Sequence, residues 1–87
     1  MKSNIKSVQL YPNPAHDKVF LSYTATREGF YTLSIADATG KNLIYERIFF
    51  RKGANNISID ITKLSVGIYF TTISASNSLQ RMKFLKE

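Results

Sequence analysis

The sequence has no cysteine and no tryptophan, a single histidine, and only two prolines, which stand one residue apart in Pro12-Asn13-Pro14. Without cysteine there is neither a disulfide nor a thiolate metal site, and the redox compartment leaves no mark. One histidine excludes a zinc site built from several His or Cys ligands. Carboxylates are also scarce: six Asp and Glu against twelve Lys and Arg, a formal charge of +6. Asp17, Glu28, Asp37, Glu46, Asp60 and Glu87 do not cluster as calcium ligands do, and no two have the setting of a glycosidase acid and base. The four glycines, Gly29, Gly40, Gly53 and Gly67, stand singly in separate turns, so no glycine-rich phosphate loop exists. No metal, cofactor or catalytic residue is expected. No apolar run approaches the length of a membrane span, so stable membrane insertion is not expected either. The opening Met1-Lys2-Ser3-Asn4-Ile5-Lys6 lacks the apolar stretch of a signal peptide. These features fit a cytosolic protein or a piece cut from a longer secreted one.

What the chain does have is alternation. Its 87 residues suit one domain. A domain of that size buries about 60–65% of its unfolded surface, against a conformational entropy cost of roughly 1.5 kcal/mol per residue. Packing alone must supply the stability, so the apolar core has to be continuous. The stretch Leu64-Ser65-Val66-Gly67-Ile68-Tyr69-Phe70-Thr71-Thr72-Ile73 is the centre of the reading. Gly67 suits a corner, and the β-branched and aromatic run after it suits a strand. Tyr69, Thr71 and Ile73 share one face, and Ile68, Phe70 and Thr72 the other. Apolar groups on both faces place this strand mid-sheet. A tyrosine two residues past a corner commonly bonds its hydroxyl back to the corner backbone in β-sandwiches, so Tyr69 is expected to be structural.

The remaining strands follow in order. Ile5 to Tyr11 forms the first, ended by the two prolines, which remove two amide donors. Lys18 to Thr24 turns Val19, Leu21 and Tyr23 inward. Phe30 to Ala36 turns Tyr31, Leu33 and Ile35 inward. Asp37-Ala38-Thr39-Gly40 matches a type I turn closed by a left-handed residue. Asn42 to Phe50 is read as a strand from the turn before it and its aromatics, although Leu43, Ile44 and Ile48 would also fit a helix face. After the turn Arg51-Lys52-Gly53, Asn55 to Ile61 alternates on Ile57, Ile59 and Ile61. Thr62 to Val66 makes the corner, with room for one helical turn. Leu79 to Lys86 closes the chain after Ser76-Asn77-Ser78, with Met82 and Phe84 on one face. Seven short strands with regular turns predict an all-β, seven-stranded antiparallel immunoglobulin-like β-sandwich. A five-stranded barrel would use fewer strands.

Chemistry finds little purchase. His16 has Asp17 beside it but no serine on a strained elbow, and reads as an exposed loop residue. Phe20, Phe30, Phe49 and Phe70 could stack bases if they faced outward with Arg51 and Lys52 near. The basic residues form no dense stripe, however, and strand aromatics are usually core, so no nucleic-acid partner is expected.

The assembled motifs resemble the C-terminal sorting domain of the type IX secretion system, type A, over nearly the whole chain. The likeness runs through Tyr11-Pro12-Asn13-Pro14, Val19-Phe20-Leu21, Leu33-Ser34-Ile35-Ala36-Asp37 and Gly40-Lys41. It continues through Gly53-Ala54-Asn55, Ile57-Ser58-Ile59-Asp60, the Gly67-Ile68-Tyr69 strand and the finish Arg81-Met82-Lys83-Phe84-Leu85-Lys86. The resemblance implies a domain, residues 1–87, at the C-terminus of a longer secreted protein. Its cargo would lie ahead of it and cross the inner membrane by its own signal peptide. An outer-membrane translocon would then read the folded domain in the periplasm. A sortase-like protease commonly removes it, and the cargo ends at the cell surface, in some cases on an anionic lipopolysaccharide, or is secreted. The domain itself would be an address.

On that footing Lys83, Phe84, Leu85 and Lys86, together with Pro12, Asn13 and Pro14, are candidate recognition residues. Gly40, Gly53, Gly67 and Tyr69 are structural. The last strand is expected to leave its edge open for strand addition, with Lys83 and Lys86 setting register on an acidic groove. The plain alternative is that Met82 and Phe84 fill the core, the lysines are solvated, and Pro12-Asn13-Pro14 is a rigid turn. A different class of reading is an immunoglobulin-like carbohydrate-binding or adhesion module of a surface protein. It shares the fold, and the lack of tryptophan weighs against it.

Overall fold

The computed structural model describes residues 8–76 and 78–87, so the expected strand residues Ile5 to Ser7 and the turn residue Asn77 lie outside it. The described residues form seven strands and no helix: β1 Val8–Tyr11, β2 Lys18–Ala25, β3 Gly29–Asp37, β4 Asn42–Phe50, β5 Gly53–Asp60, β6 Gly67–Ala75 and β7 Ser78–Lys86. They pair antiparallel in two sheets, ordered β1-β2-β5 and β4-β3-β6-β7. This is the expected sandwich. β4 pairs with β3, whereas an immunoglobulin constant domain sets its fourth strand beside the fifth.

Alternation decides which side chains meet between the sheets. Val19, Leu21 and Tyr23 from β2 face Tyr31, Leu33 and Ile35 from β3, and all six are buried. Ile59, Ile61, Tyr69, Ile73 and Phe84 complete the same cluster, and Val8, Leu10, Ile44 and Ile48 pack against it. An aromatic trio closes one end: Tyr23, Tyr31 and Phe50 have ring centroids 5.2–5.5 Å apart. At the other end Phe84 stacks on Tyr69 at 5.6 Å. Burying a side chain such as Phe84 stabilises the fold by about 1.5–3 kcal/mol.

The turns behave as their residues dictate. Asp37 Oδ1 accepts hydrogen bonds from Thr39 N–H, Thr39 Oγ1 and Lys41 N–H, while Gly40 N–H donates to Asp37 O at 2.9 Å. Gly40 closes this turn at φ +93°, a conformation costly for residues with a Cβ. At the β4–β5 turn the Asn55 side chain bonds Arg51 N–H and O and the Gly53 carbonyl. The corner after β5 is a turn and not a helical segment: Leu64 N–H donates to Ile61 O, and Asp60 Oδ1 accepts from the Thr62 amide and hydroxyl.

Gly67 opens β6, and Tyr69 donates its hydroxyl to the Ser65 carbonyl, four residues back. The same device occurs a second time. Gly29 opens β3, and the Tyr31 hydroxyl donates to Arg27 O at 2.9 Å, again four residues back. β3 and β6 are antiparallel neighbours, so the two corners stand at opposite ends of the central strand pair.

Candidate functional site

The two segments nominated from the sequence come together. Ala15, directly after Pro14, is fully buried and forms a parallel bridge with Lys86. Ala15 N–H donates to Leu85 O at 2.8 Å, and Glu87 N–H donates to Ala15 O at 2.8 Å. The Asn13 side chain adds a third bond, accepting Leu85 N–H on Oδ1 at 3.0 Å. Both prolines follow cis peptide bonds. The loop from Asn13 to Ala15 therefore lies as a strap along the outer edge of β7.

This corrects the expectation of an open closing edge. At Leu85 and Glu87 the backbone groups that point away from β6 are already paired with the strap. Backbone groups of alternate residues point to the same side of a strand. Arg81 and Lys83 therefore direct theirs outward too, and among the described residues β7 has only β6 as a paired strand. The free part of the edge lies at Arg81 and Lys83, upstream of the strap.

The four nominated residues of β7 divide by face. Phe84 is core, 1% exposed, and offers nothing to a partner while the domain is folded. Lys86 donates from Nζ to Leu64 O at 2.7 Å, which ties β7 to the corner before β6. Leu85 is half-buried and held by the strap through its backbone. Lys83 is exposed. Pro12, Asn13 and Pro14 are exposed as side chains, although Asn13 is engaged. Of the nominated set, Lys83 and the two proline rings form the accessible surface.

Elsewhere the strand aromatics considered for base stacking do face outward, with Phe20, Phe30 and Phe49 exposed and Phe70 half-buried. Phe20 stacks on Tyr11 outside the three-stranded sheet, while Phe30, Phe49 and Phe70 lie outside the four-stranded one. Their cationic neighbours are Arg47 and Arg81, not the expected Arg51 and Lys52. A groove of about 610 Å³ opens between the unpaired edges of β4 and β5, walled by Leu43, Ile44, Ile48 and Ile57 and rimmed by Glu46, Asp60 and Lys63. His16 is exposed, and no group of three or more His, Cys, Asp or Glu among the described residues could hold a metal ion. No helix among them is long and apolar enough to cross a membrane.

The molecule is thus a β-sandwich with its last strand strapped by the loop after its first. A family model described as a secretion system C-terminal sorting domain matches residues 9–87. The chain belongs to that family, the type IX secretion C-terminal sorting domains. The family is a class of sorting signals and not of enzymes. Membership implies a cargo on the N-terminal side, secretion machinery that reads the signal, and export to the cell surface or beyond.

Among solved structures the chain is similar to part of the β-glucosidase EmGH1 from Erythrobacter marinus, with a TM-score of 0.58 and 13% identity. The match covers 94% of this chain and 15% of that one. A β-glucosidase from Listeria innocua, solved in complex with glucose, aligns over 91% of this chain and 15% of its own length at 10% identity, TM-score 0.44. This chain thus spans about 15% of either enzyme, and at such identity the first likeness speaks for the fold alone. Comparison with curated proteins gives no significant match.

Proposed function

We propose that residues 1–87 are the C-terminal address of a longer exported protein, and that the strapped end of β7 is the surface the type IX outer-membrane translocon reads. The observation that carries this reading is the strap itself. Asn13 and Ala15 hold Leu85 and Glu87 in place, so Lys83, the proline rings and the tail form one preorganised surface. A surface ordered before binding loses less entropy on docking than a loose tail. Lys83 presents its ammonium beside the free stretch of edge, where an incoming strand could pair in register. A sortase-like protease then removes the domain from its cargo after export.

The test fuses residues 1–87 behind a periplasm-directed reporter in a host that has this secretion system. The intact domain should carry the reporter outside. Removing Lys83 to Glu87 should leave it inside, but that truncation also removes Phe84 from the core, and emptying a Phe site costs about 3–5 kcal/mol. The decisive variant is therefore Lys83→Glu, which reverses an exposed charge without touching the core. It should lower export severalfold at unchanged melting temperature. Full export by Lys83→Glu and by the truncated domain alike would overturn the assignment of the strapped end.

A further inference from the structure

We propose that the outer face of the four-stranded sheet binds an acidic polysaccharide, a role additional to sorting that shares only Lys83 with the proposed sorting surface. The register places four hydroxyl side chains at the middle of that face. Thr32 stands opposite Ser74, and Ser34 opposite Thr72, on the central strands β3 and β6. All four are half-buried, so they form a shallow floor. The first row continues to Arg47 on β4 and Leu79 on β7, and the second to Tyr45 and Arg81. The hydroxyl quartet thus has a guanidinium at each of two diagonal corners.

Both guanidiniums are held in the same way. Arg47 lies over the Phe30 ring at 4.5 Å and Arg81 over the Phe70 ring at 5.0 Å. Each arginine stands opposite a threonine and reaches diagonally to the ring two residues along the neighbouring strand. Stacking fixes the guanidinium plane and leaves its N–H fork free for a carboxylate or sulfate. With strands about 4.8 Å apart, the two arginine backbones lie about 15 Å apart across the floor. Lys83 adds a third cation on the same face, one row along from Arg81. Within the four strands no carboxylate alternates onto that face, and Glu28 and Glu87 stand just beyond the ends of β3 and β7. Glu46 alternates to the other side of β4 and lines the groove beside β5, and Asp37 is engaged by its own turn.

The arrangement selects among polyanions. A single-stranded nucleic acid needs open ring faces on which successive bases stack. Here Phe30 and Phe70 are each covered by an arginine, and Phe49 meets Phe30 edge-on at 71°. Phe20 is on the opposite sheet. A protein partner calls for an apolar centre and a polar rim. This face is the reverse, with hydroxyls in the centre and a surround that mixes cations with exposed apolar groups, Tyr45, Leu79, Phe30 and Phe49 among them. Sugar hydroxyls match the floor, a sugar ring can lie on Tyr45, and acidic substituents match the corners.

Binding of the full chain to oligogalacturonate and to dextran sulfate, with neutral dextran and oligo-dT as comparators, tests this at about 0.15 M salt. One or both acidic polysaccharides should bind and neutral dextran should not. The double variant Arg47→Gln/Arg81→Gln should lose at least about tenfold in affinity, since each removes charge-assisted hydrogen bonds. Arg47→Lys/Arg81→Lys keeps the charge and loses the fork, and should fall between. Lys18→Gln/Lys63→Gln, which removes two charges elsewhere, should change binding by less than about twofold. An equal loss from that control pair would reduce the effect to net charge and overturn the proposal. So would absent binding, or tighter binding of oligo-dT that the same arginine variants abolish.

Discussion

Asn13 and Leu85 stand 72 positions apart in sequence, and the side chain of one accepts the backbone N–H of the other at 3.0 Å. The bond supplies a partner to the closing strand on the side where none of the described strands pairs with it. Asn13→Ala should therefore lower stability by about 0.5–1.5 kcal/mol. Asn13→Asp, which keeps the acceptor, should lose less. Urea midpoints at constant slope check both.

The two tyrosine corners should behave as independent units. Tyr31→Phe and Tyr69→Phe each remove one hydroxyl-to-carbonyl bond and should each cost about 1 kcal/mol. The residues are separated by most of a strand length, so the double variant should lose the sum, about 2 kcal/mol. A markedly smaller loss in the double variant would show that the corners share a partner.

Thr71 is fully buried, and its Oγ1 has no hydrogen-bond partner among the described residues. A hydroxyl stripped of water without compensation is destabilising. Thr71→Val keeps the shape and removes the stranded group, and should raise stability by about 1 kcal/mol in thermal or urea unfolding.

Asp37 and Asp60 should govern the acid limit. The Thr39 hydroxyl and then the Lys41 amide hold the Asp37 carboxyl below the ordinary aspartate value. The Thr62 amide and then its hydroxyl do the same for Asp60. Both prefer the charged form when folded. Their contribution is complete above the unfolded pKa of about 3.9 and is lost as pH falls through the lower folded values. Melting temperature should hold down to about pH 4 and then decline, and Asp37→Asn/Asp60→Asn should flatten that decline while starting lower.

Most of the sandwich was legible because a strand with one buried side announces it residue by residue. Val19, Leu21 and Tyr23 alternate in the sequence and are buried in the structure. The strand reading of β4 stands, since Ile44, Ile48 and Phe50 share the inner side at even spacing. The Tyr69 corner was read from Gly67-Ile68-Tyr69. The identical spacing in Gly29-Phe30-Tyr31 gave the same signal and went unused.

The strap was not legible, because alternation says which face a residue takes but not which distant loop covers an edge. For that reason the closing edge was expected to be open. The same limit hid the arginine and hydroxyl face. It depends on the pairing of β3 with β6, which places Ser34 beside Thr72 and no local pattern encodes.

The bridge between Ala15 and Lys86 runs parallel, and this has a mechanical consequence. If cargo tugs at the front of the domain while its rear is gripped, the two segments are drawn past each other along their length. The Ala15–Leu85 and Glu87–Ala15 bonds then share the load at once, instead of parting one after another. A tag built in this way can be towed by its final residues without unravelling first.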